Sequence, residues 1–102
     1  MARFDVYRNP NRAATHLFFL DVQSDLVMIA TRWCIPLYPH HVSHPLIRGI
    51  QAPASIGGVS CVMDTPNLLA VPAVLLRDRV ARLAASEQAV AEACMEFMLR
   101  GY

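Results

Sequence analysis

The amino-acid sequence predicts an α+β domain in which short antiparallel strands come first and one long helix comes last. Two observations carry this prediction. In the first two-thirds of the chain, short runs of apolar residues are separated by turn residues, as in half-buried strands. In the last segment, apolar residues recur at helical spacing. With 102 residues the chain is long enough for one domain, and we expect residues 1–102 to form it.

The strands are predicted from runs bounded by turn chemistry. Phe4 to Tyr7 alternates apolar and polar residues and ends at the turn Arg8-Asn9-Pro10-Asn11. Ile56-Gly57-Gly58-Val59 indicates a hairpin, because consecutive glycines suit the positive φ angles of a tight turn. Tyr38 to Ser55 is predicted to be a long surface connection. The other predicted strands are His16 to Val22, Leu26 to Ala30, Arg32 to Leu37 with Pro36 at an edge or strand end, Val59 to Met63, and Leu68 to Leu76 with Pro72 at a bulge or edge.

The C-terminal helix is predicted to carry two apolar stripes. Ser86 is placed as its N-cap and Gly101 as its stop. Such a helix needs cover on two sides, which we expect to be its own sheet and a twin subunit, with Met95, Met98 and Leu99 at the dimer interface. The stripes are Val90, Cys94, Phe97 and Met98, and Ala91, Met95 and Leu99; the polar face is Gln88, Glu92, Glu96 and Arg100, whose last two members can pair.

The composition favours a protein that hides apolar surface against a partner. Hydrophobic residues make up 55% of the chain and charged residues 17%. A chain of this length has little interior, so we expect a second copy or another partner to cover some of this surface; the alternative is a well-filled monomer core. The net charge is +1, with nine arginines and no lysine. Because this balance lacks the electrostatic signature of a nucleic-acid binder, we expect no direct nucleic-acid binding.

Cysteine usage and hydropathy predict a cytoplasmic protein. Cys34, Cys61 and Cys94 lie in apolar runs without metal-type spacing, as is typical of buried, reduced thiols. Asp5 interrupts the N-terminal stretch before any signal-peptide pattern. The longest uncharged stretch, Ile50 to Met63, is too short and too broken to span a bilayer. We therefore expect a cytoplasmic location and no membrane partner.

No signature of catalysis or metal binding stands out. His40, His41 and His44 form the most metal-like cluster, yet no thiolate or carboxylate lies beside them, so we expect a solvated loop. Asp21 and Asp25 lie in a stretch that looks extended, where turn and interface hydrogen bonds are commoner than paired-carboxylate catalysis. The chain contains no nucleophile elbow and no phosphate-binding loop. We therefore expect a binding protein without catalytic residues, cofactor or metal.

The order of several sequence blocks resembles the CcdB toxins of type II toxin–antitoxin systems. The most specific block is Phe19-Leu20-Asp21-Val22-Gln23-Ser24-Asp25-Leu26. The resemblance covers nearly the whole chain and is weakest from Tyr38 to Ser55. The other matching positions are Phe4 to Tyr7, Ile35-Pro36-Leu37, Ile56-Gly57, Ser60, Met63, Thr65, Val71-Pro72, Val80 and Leu83.

This resemblance implies the SH3-like fold that CcdB and MazF toxins share: a barrel-like antiparallel sheet, a smaller second sheet, a long C-terminal helix and a homodimer. It implies a topoisomerase poison that binds the GyrA subunit of DNA gyrase and traps the cleaved DNA complex. It further implies neutralisation by a CcdA-like antitoxin whose disordered segment folds on binding. Carried over position by position, the gyrase-binding residues would be Leu26, Val27, Leu99, Arg100, Gly101 and Tyr102.

Arg100 departs from the family pattern. Family members end in Trp-Gly-Ile, and their Trp stacks against an arginine of gyrase. A guanidinium at that position removes the cation–π attraction and adds like charge. The alternatives are therefore a compensating change in gyrase, another target, or a non-toxic homologue that only binds antitoxin. A MazF-like endoribonuclease is a further alternative, for which Arg32 with Thr31 would be the candidate pair.

Overall fold

The computed structural model describes residues 1–41 and 44–101 of the chain. Strands dominate the first four-fifths of it, and one α-helix follows. The strands are β1 (Asp5–Arg8), β2 (Phe18–Asp21), β3 (Thr31–Pro39), β4 (Gln51–Ile56), β5 (Val59–Asp64), β6 (Leu69–Pro72) and β7 (Arg79–Arg82); the helix is α1 (Ala85–Arg100), and 3-10 turns span Thr65–Asn67 and Ala73–Leu75.

The strands form one connected antiparallel sheet in the order β4-β5-β3-β2-β1-β7, with β6 added to β3. Strand β3 is the branch point. Its first half, Thr31 to Cys34, pairs with β6, and its second half, Leu37 to Pro39, pairs with β5 along the same edge. The sheet curls into a half-barrel beside α1, which confirms the predicted α+β fold class. The resemblance implies a smaller second sheet, but all seven strands belong to one sheet, which β6 joins through β3.

The central strands are buried on both faces. Because side chains alternate along a strand, Leu20 and Ile35 point into the larger core, which α1 closes with Ala91 and Cys94. The neighbouring residue Phe19 points into a smaller core on the other face. That smaller core consists of Tyr7, Phe19, Cys34, Val71 and Leu76.

Several local predictions are confirmed. The hairpin turns at Gly57 and Gly58, whose φ angles are +56° and +82°. Gly101 ends α1 in the left-handed conformation with φ +79°. The three cysteines are free and buried. Pro72 is the last residue of β6, which pairs with β3 alone in the described part of the chain.

No helix formed by the described residues is long and apolar enough to cross a membrane.

Other strand predictions were wrong in their bounds. Residues 26–30 form an exposed irregular loop instead of an extended segment, because the Ser24 hydroxyl accepts the N–H of Leu26 and starts a turn. The predicted strand from Leu68 to Leu76 stops at Pro72, and a 3-10 turn follows. The predicted connection from Tyr38 to Ser55 shrinks to residues 40–50, since β3 and β4 extend into it.

Two single-residue predictions were also wrong. Pro36 lies inside β3, at the point where the strand that pairs with one edge of β3 changes from β6 to β5. Because neither strand pairs with β3 at this residue, the missing N–H of Pro36 costs no hydrogen bond between strands. Ser86 is not the N-cap of α1: Ala84 holds that position without a side-chain cap. The helix starts early because the preceding Leu83 is buried and its N–H is donated to the carbonyl of Phe4.

Candidate interaction face

A buried ion pair lies between the ends of β2 and β3. Terminal and Nε nitrogens of Arg32 lie 2.7 and 2.8 Å from Oδ2 of Asp21, whose side chain is fully buried. The same guanidinium lies 3.0 Å from Oδ1 of the exposed Asp25. Burial acts to lower the pKa of Arg32, but the hydrogen bonds and charges of Asp21 and Asp25 raise it above its usual value. Arg32 is therefore a charged structural residue that fixes the start of the β2–β3 loop.

Gln23 ties the same loop to β3. Its Nε2 donates to the carbonyl of Val27 at 2.9 Å, and its Oε1 accepts the backbone N–H of Trp33 at 3.0 Å. Asp21 Oδ1 in turn accepts the N–H of Gln23 at 3.1 Å. These bonds confirm the expected turn role of Asp21. They hold both sides of the loop by polar contacts at its base.

The N-terminal arm braces the loop from the side of the helix. The N–H of Arg3 is donated to Oδ1 of Asp25 at 3.0 Å, and its Nε to the carbonyl of Val22 at 2.9 Å. Its guanidinium also lies 3.2 Å from Oε1 of Glu92 on α1. One arginine therefore links the loop with α1.

The anchored loop presents apolar side chains to solvent. Leu26 is 93% exposed and Met28 is 91% exposed, which is unusual for side chains of this size. Together with Trp33 and the exposed end of α1 they form what we name the apolar face, which consists of Leu26, Val27, Met28, Ile29, Trp33, Met98 and Leu99. Clustered apolar exposure on a small protein is typical of an interaction surface.

Two grooves meet at Trp33. The first, of about 300 Å³, runs along the helix end and is lined by Val22, Trp33, Thr65, Pro66, Leu68, Met95, Met98 and Leu99. The second, of about 330 Å³, runs under the loop and is lined by Val22, Gln23, Ser24, Val27, Ile29 and Trp33. Because both include Val22 and Trp33, the loop and the helix end form one continuous surface.

The structure brings most of the predicted site residues onto this surface. Val27 lines the groove under the loop, and Leu26 projects beside it into solvent. Met95, Met98 and Leu99 all line the helix groove. Gly101 ends the helix, and Tyr102 lies outside the described residues.

Arg100 is directed back along the helix surface. Its Nε lies 3.1 Å from Oε1 of Glu96, one turn earlier, which confirms the predicted pair. Both side chains are more than half exposed, so the pair contributes little to stability. Arg100 lines neither groove of the apolar face.

Comparison with known families decides the assignment. The family model described as CcdB protein matches residues 3–101. The chain belongs to the CcdB family. This membership supports a toxin of a toxin–antitoxin system. No curated protein matches the chain.

Trp33 was not among the predicted site residues of this CcdB-family chain, although it lies where the two grooves meet. Trp33 is 55% exposed between the buried Arg32 and the buried Cys34, as the alternation of a strand dictates. The sequence gives no signal for this exposure, because the buried neighbour Arg32 is charged and Trp33 is apolar, which suggests the opposite alternation. Met28 and Ile29 were missed because their apolar character was interpreted as that of a strand.

Two of the three histidines of the metal-like cluster lie side by side in this member of the CcdB family. The rings of His41 and His44 meet edge to face, with centroids 5.6 Å apart. In the described ranges 1–41 and 44–101, no group of three or more His, Cys, Asp or Glu residues is arranged to hold a metal ion. Asp21 and Asp25 do converge, but on Arg32, whose guanidinium forms salt bridges with both carboxylates.

Proposed function

We propose that this CcdB-family chain is a homodimeric toxin that acts by binding, not by catalysis. Its target is the GyrA subunit of DNA gyrase, and its effect is to trap the cleaved DNA complex. A CcdA-like antitoxin neutralises it, and both act in the cytoplasm. The proposed gyrase-binding residues are Leu26, Val27 and the C-terminal residues 99–102; Met95, Met98 and Leu99 form the dimer interface.

The observation that carries this proposal is the continuity of the apolar face. The loop residue Val27 and the helix residues Met98 and Leu99 are distant in sequence, yet they line two grooves that meet at Trp33. A surface of this kind supports recognition of protein partners, since aromatic and apolar anchors supply most of the binding energy at protein interfaces.

The burial and ion pairs of Arg32 disfavour the endoribonuclease alternative. A ribonuclease of this kind needs an arginine free to meet a phosphate in the transition state. Arg32 is 7% exposed and is held by two carboxylates, which would repel a phosphate. Arg32 therefore has a structural role, and the binding function is favoured over RNA cleavage.

The deciding experiment is a DNA-cleavage assay with gyrase from the source organism, supercoiled plasmid, ATP and increasing amounts of the protein. We expect linear DNA to accumulate with the dose. A variant that lacks Gly101 and Tyr102 is expected to lose this effect while it keeps the same thermal unfolding. The matched control is Ile47→Ser, which alters an exposed apolar residue that lines neither groove.

Two results would contradict the proposal. One is an absence of linear DNA at every dose from a folded, dimeric protein. The other is cleavage of a defined RNA by the purified chain, abolished by a variant that keeps its fold.

A further inference from the structure

A second concave site lies apart from the apolar face. Its volume is about 380 Å³, and it shares no lining residue with either groove of that face. One wall comes from the end of β1 and the connection after it, and the other from the segment before β7. We name it the arginine pocket; its lining residues are Arg8, Asn9, Pro10, Arg12, Val74, Leu75, Arg77 and Asp78.

The walls of the arginine pocket are fixed to each other. The N–H of Arg8 is donated to the carbonyl of Asp78 at 2.9 Å, next to the pairing of β1 with β7. Asn9 is buried; its Nδ2 donates to the carbonyl of His16 at 2.9 Å, and its Oδ1 accepts the N–H of Asn11 at 3.0 Å. The pocket therefore has a defined shape.

Positive charge is concentrated in this pocket despite the balanced charge of the chain. Six of the nine arginines form ion pairs with carboxylates. Within residues 1–41 and 44–101, the three that form none are Arg12, Arg48 and Arg77, and two of these line the pocket. The pocket is thus lined by three guanidinium groups, of Arg8, Arg12 and Arg77, and by one carboxylate, that of Asp78, which gives a formal local charge of +2.

The hydrogen bonds of these arginines leave their outer nitrogens available. Nε of Arg8 lies 3.1 Å from Oδ2 of Asp78, and Nε of Arg77 donates to the carbonyl of Val74 at 2.8 Å. Each bond orients a guanidinium plane through one nitrogen. In the part of the chain that the structure describes, the terminal nitrogens of both groups have no acceptor. Terminal guanidinium nitrogens are well suited to bind phosphate oxygens in pairs.

We propose that the arginine pocket binds a small phosphate-bearing molecule of the size of a nucleotide. The charge of +2 matches a dianionic phosphate better than a single carboxylate. Pro10, Val74 and Leu75 supply an apolar wall for the rest of the ligand, and the cavity volume lies within the range of small-molecule sites. This binding does not depend on the proposed gyrase target.

The test is calorimetric titration of the full-length protein with ATP, AMP and adenosine at low and high salt. We expect ATP and AMP to bind at one site per chain, with an affinity that falls as salt is added, and adenosine not to bind. Arg12→Gln and Arg77→Gln are each expected to weaken ATP binding about tenfold, since each removes charge-assisted hydrogen bonds. Arg48→Gln is the matched control: it makes the same change outside the pocket and should retain the affinity.

A further variant tests the pocket without removing an arginine. Val74→Asp places a carboxylate in the wall and is expected to abolish ATP binding while thermal unfolding stays cooperative. The proposal is overturned if ATP shows no saturable binding at millimolar concentration, or if Arg48→Gln weakens binding as much as Arg12→Gln. It is also overturned if a single-stranded RNA binds at the pocket and ATP does not displace it, because the ligand would then be a nucleic-acid strand.

Discussion

Arg32 and Asp21 form a salt bridge of 2.7 Å in which the aspartate side chain is fully buried and the arginine side chain is 9% exposed. Removing one partner leaves a buried charge without compensation. We expect Arg32→Ala to lower the free energy of unfolding by about 3–5 kcal/mol. Urea denaturation followed by circular dichroism measures this.

The matched control for Arg32 is Arg100→Ala, which breaks an exposed pair with Glu96. Its cost is expected to be about 0.5 kcal/mol or less. Equal losses in the two variants would show that the buried pair has no special role in stability.

Gln23 is predicted to control the order of the exposed loop. Gln23→Leu removes the bonds to Val27 and Trp33, and we expect cleavage within residues 24–30 by a protease to become several times faster, because the loop loses its anchor. Mass spectrometry of limited digests gives the rate. Gln88→Leu, which removes a bond to Leu83 at the helix start, should leave the cleavage rate of the loop unchanged.

The helix end of the apolar face is predicted to hold two copies together. Met98→Glu places a charge in the helix groove, and we expect it to convert a dimer into a monomer at micromolar concentration, because an unpaired charge is costly to bury. Sedimentation velocity distinguishes the two masses. Ile47→Glu alters a residue of similar exposure that lines neither groove and should remain dimeric. A wild-type chain that sediments as a monomer would refute the interface.

Asp5 makes stability sensitive to acid. Burial acts to raise its pKa, but the hydrogen bonds from Arg79 and Ala2 and the charges of Arg79 and Arg82 hold the pKa below its usual value. The pKa of Asp5 is thus lower in the folded protein than in the unfolded chain, where it is about 3.9, so ionised Asp5 stabilises the fold at pH values above about 3.9. This stabilisation is lost as the pH falls through the pKa that Asp5 has in the folded protein. Asp5→Asn should therefore be less stable at pH 7 and lose less on acidification.

Urea denaturation between pH 2.5 and pH 7 follows this effect of Asp5. The two stability curves should approach each other below about pH 4. Parallel curves over the whole range would mean that Asp5 is not linked to acid unfolding.

Cys34 is predicted to be inert in the folded protein. Burial is the main cause that raises the pKa of its thiol to about 12, and its side chain lies in the smaller core. We expect no alkylation of Cys34 by iodoacetamide at pH 8 within an hour, and full alkylation in urea, because the reagent needs an accessible thiolate. Peptide mass spectrometry reports each cysteine separately. Fast labelling of Cys34 in the native protein would contradict its placement.

Local chemistry made much of the fold predictable from the sequence. Gly57 and Gly58 adopt the positive φ angles that the hairpin turn requires, and the helical spacing of apolar residues before Gly101 predicts α1. The salt bridge of Arg32 with Asp21 was not predictable, because it depends on the register of β2 and β3, in which Asp21 of β2 lies opposite Cys34 of β3. The loop after Ser24 was mistaken for a strand because its apolar residues serve an exposed surface instead of the core.

The hydrogen bond from the backbone N–H of Ser55 to Oε2 of Glu87, 2.9 Å long, shows that this side of β4 faces α1 and not another strand. Pro53, two residues earlier, offers no N–H to the same side. At the other border of the sheet, Arg79 and Arg82 of β7 carry charge. Further strands are therefore discouraged from joining at the outer edges of β4 and β7, so growth of the sheet into fibrils from these two edges is disfavoured even in concentrated solution.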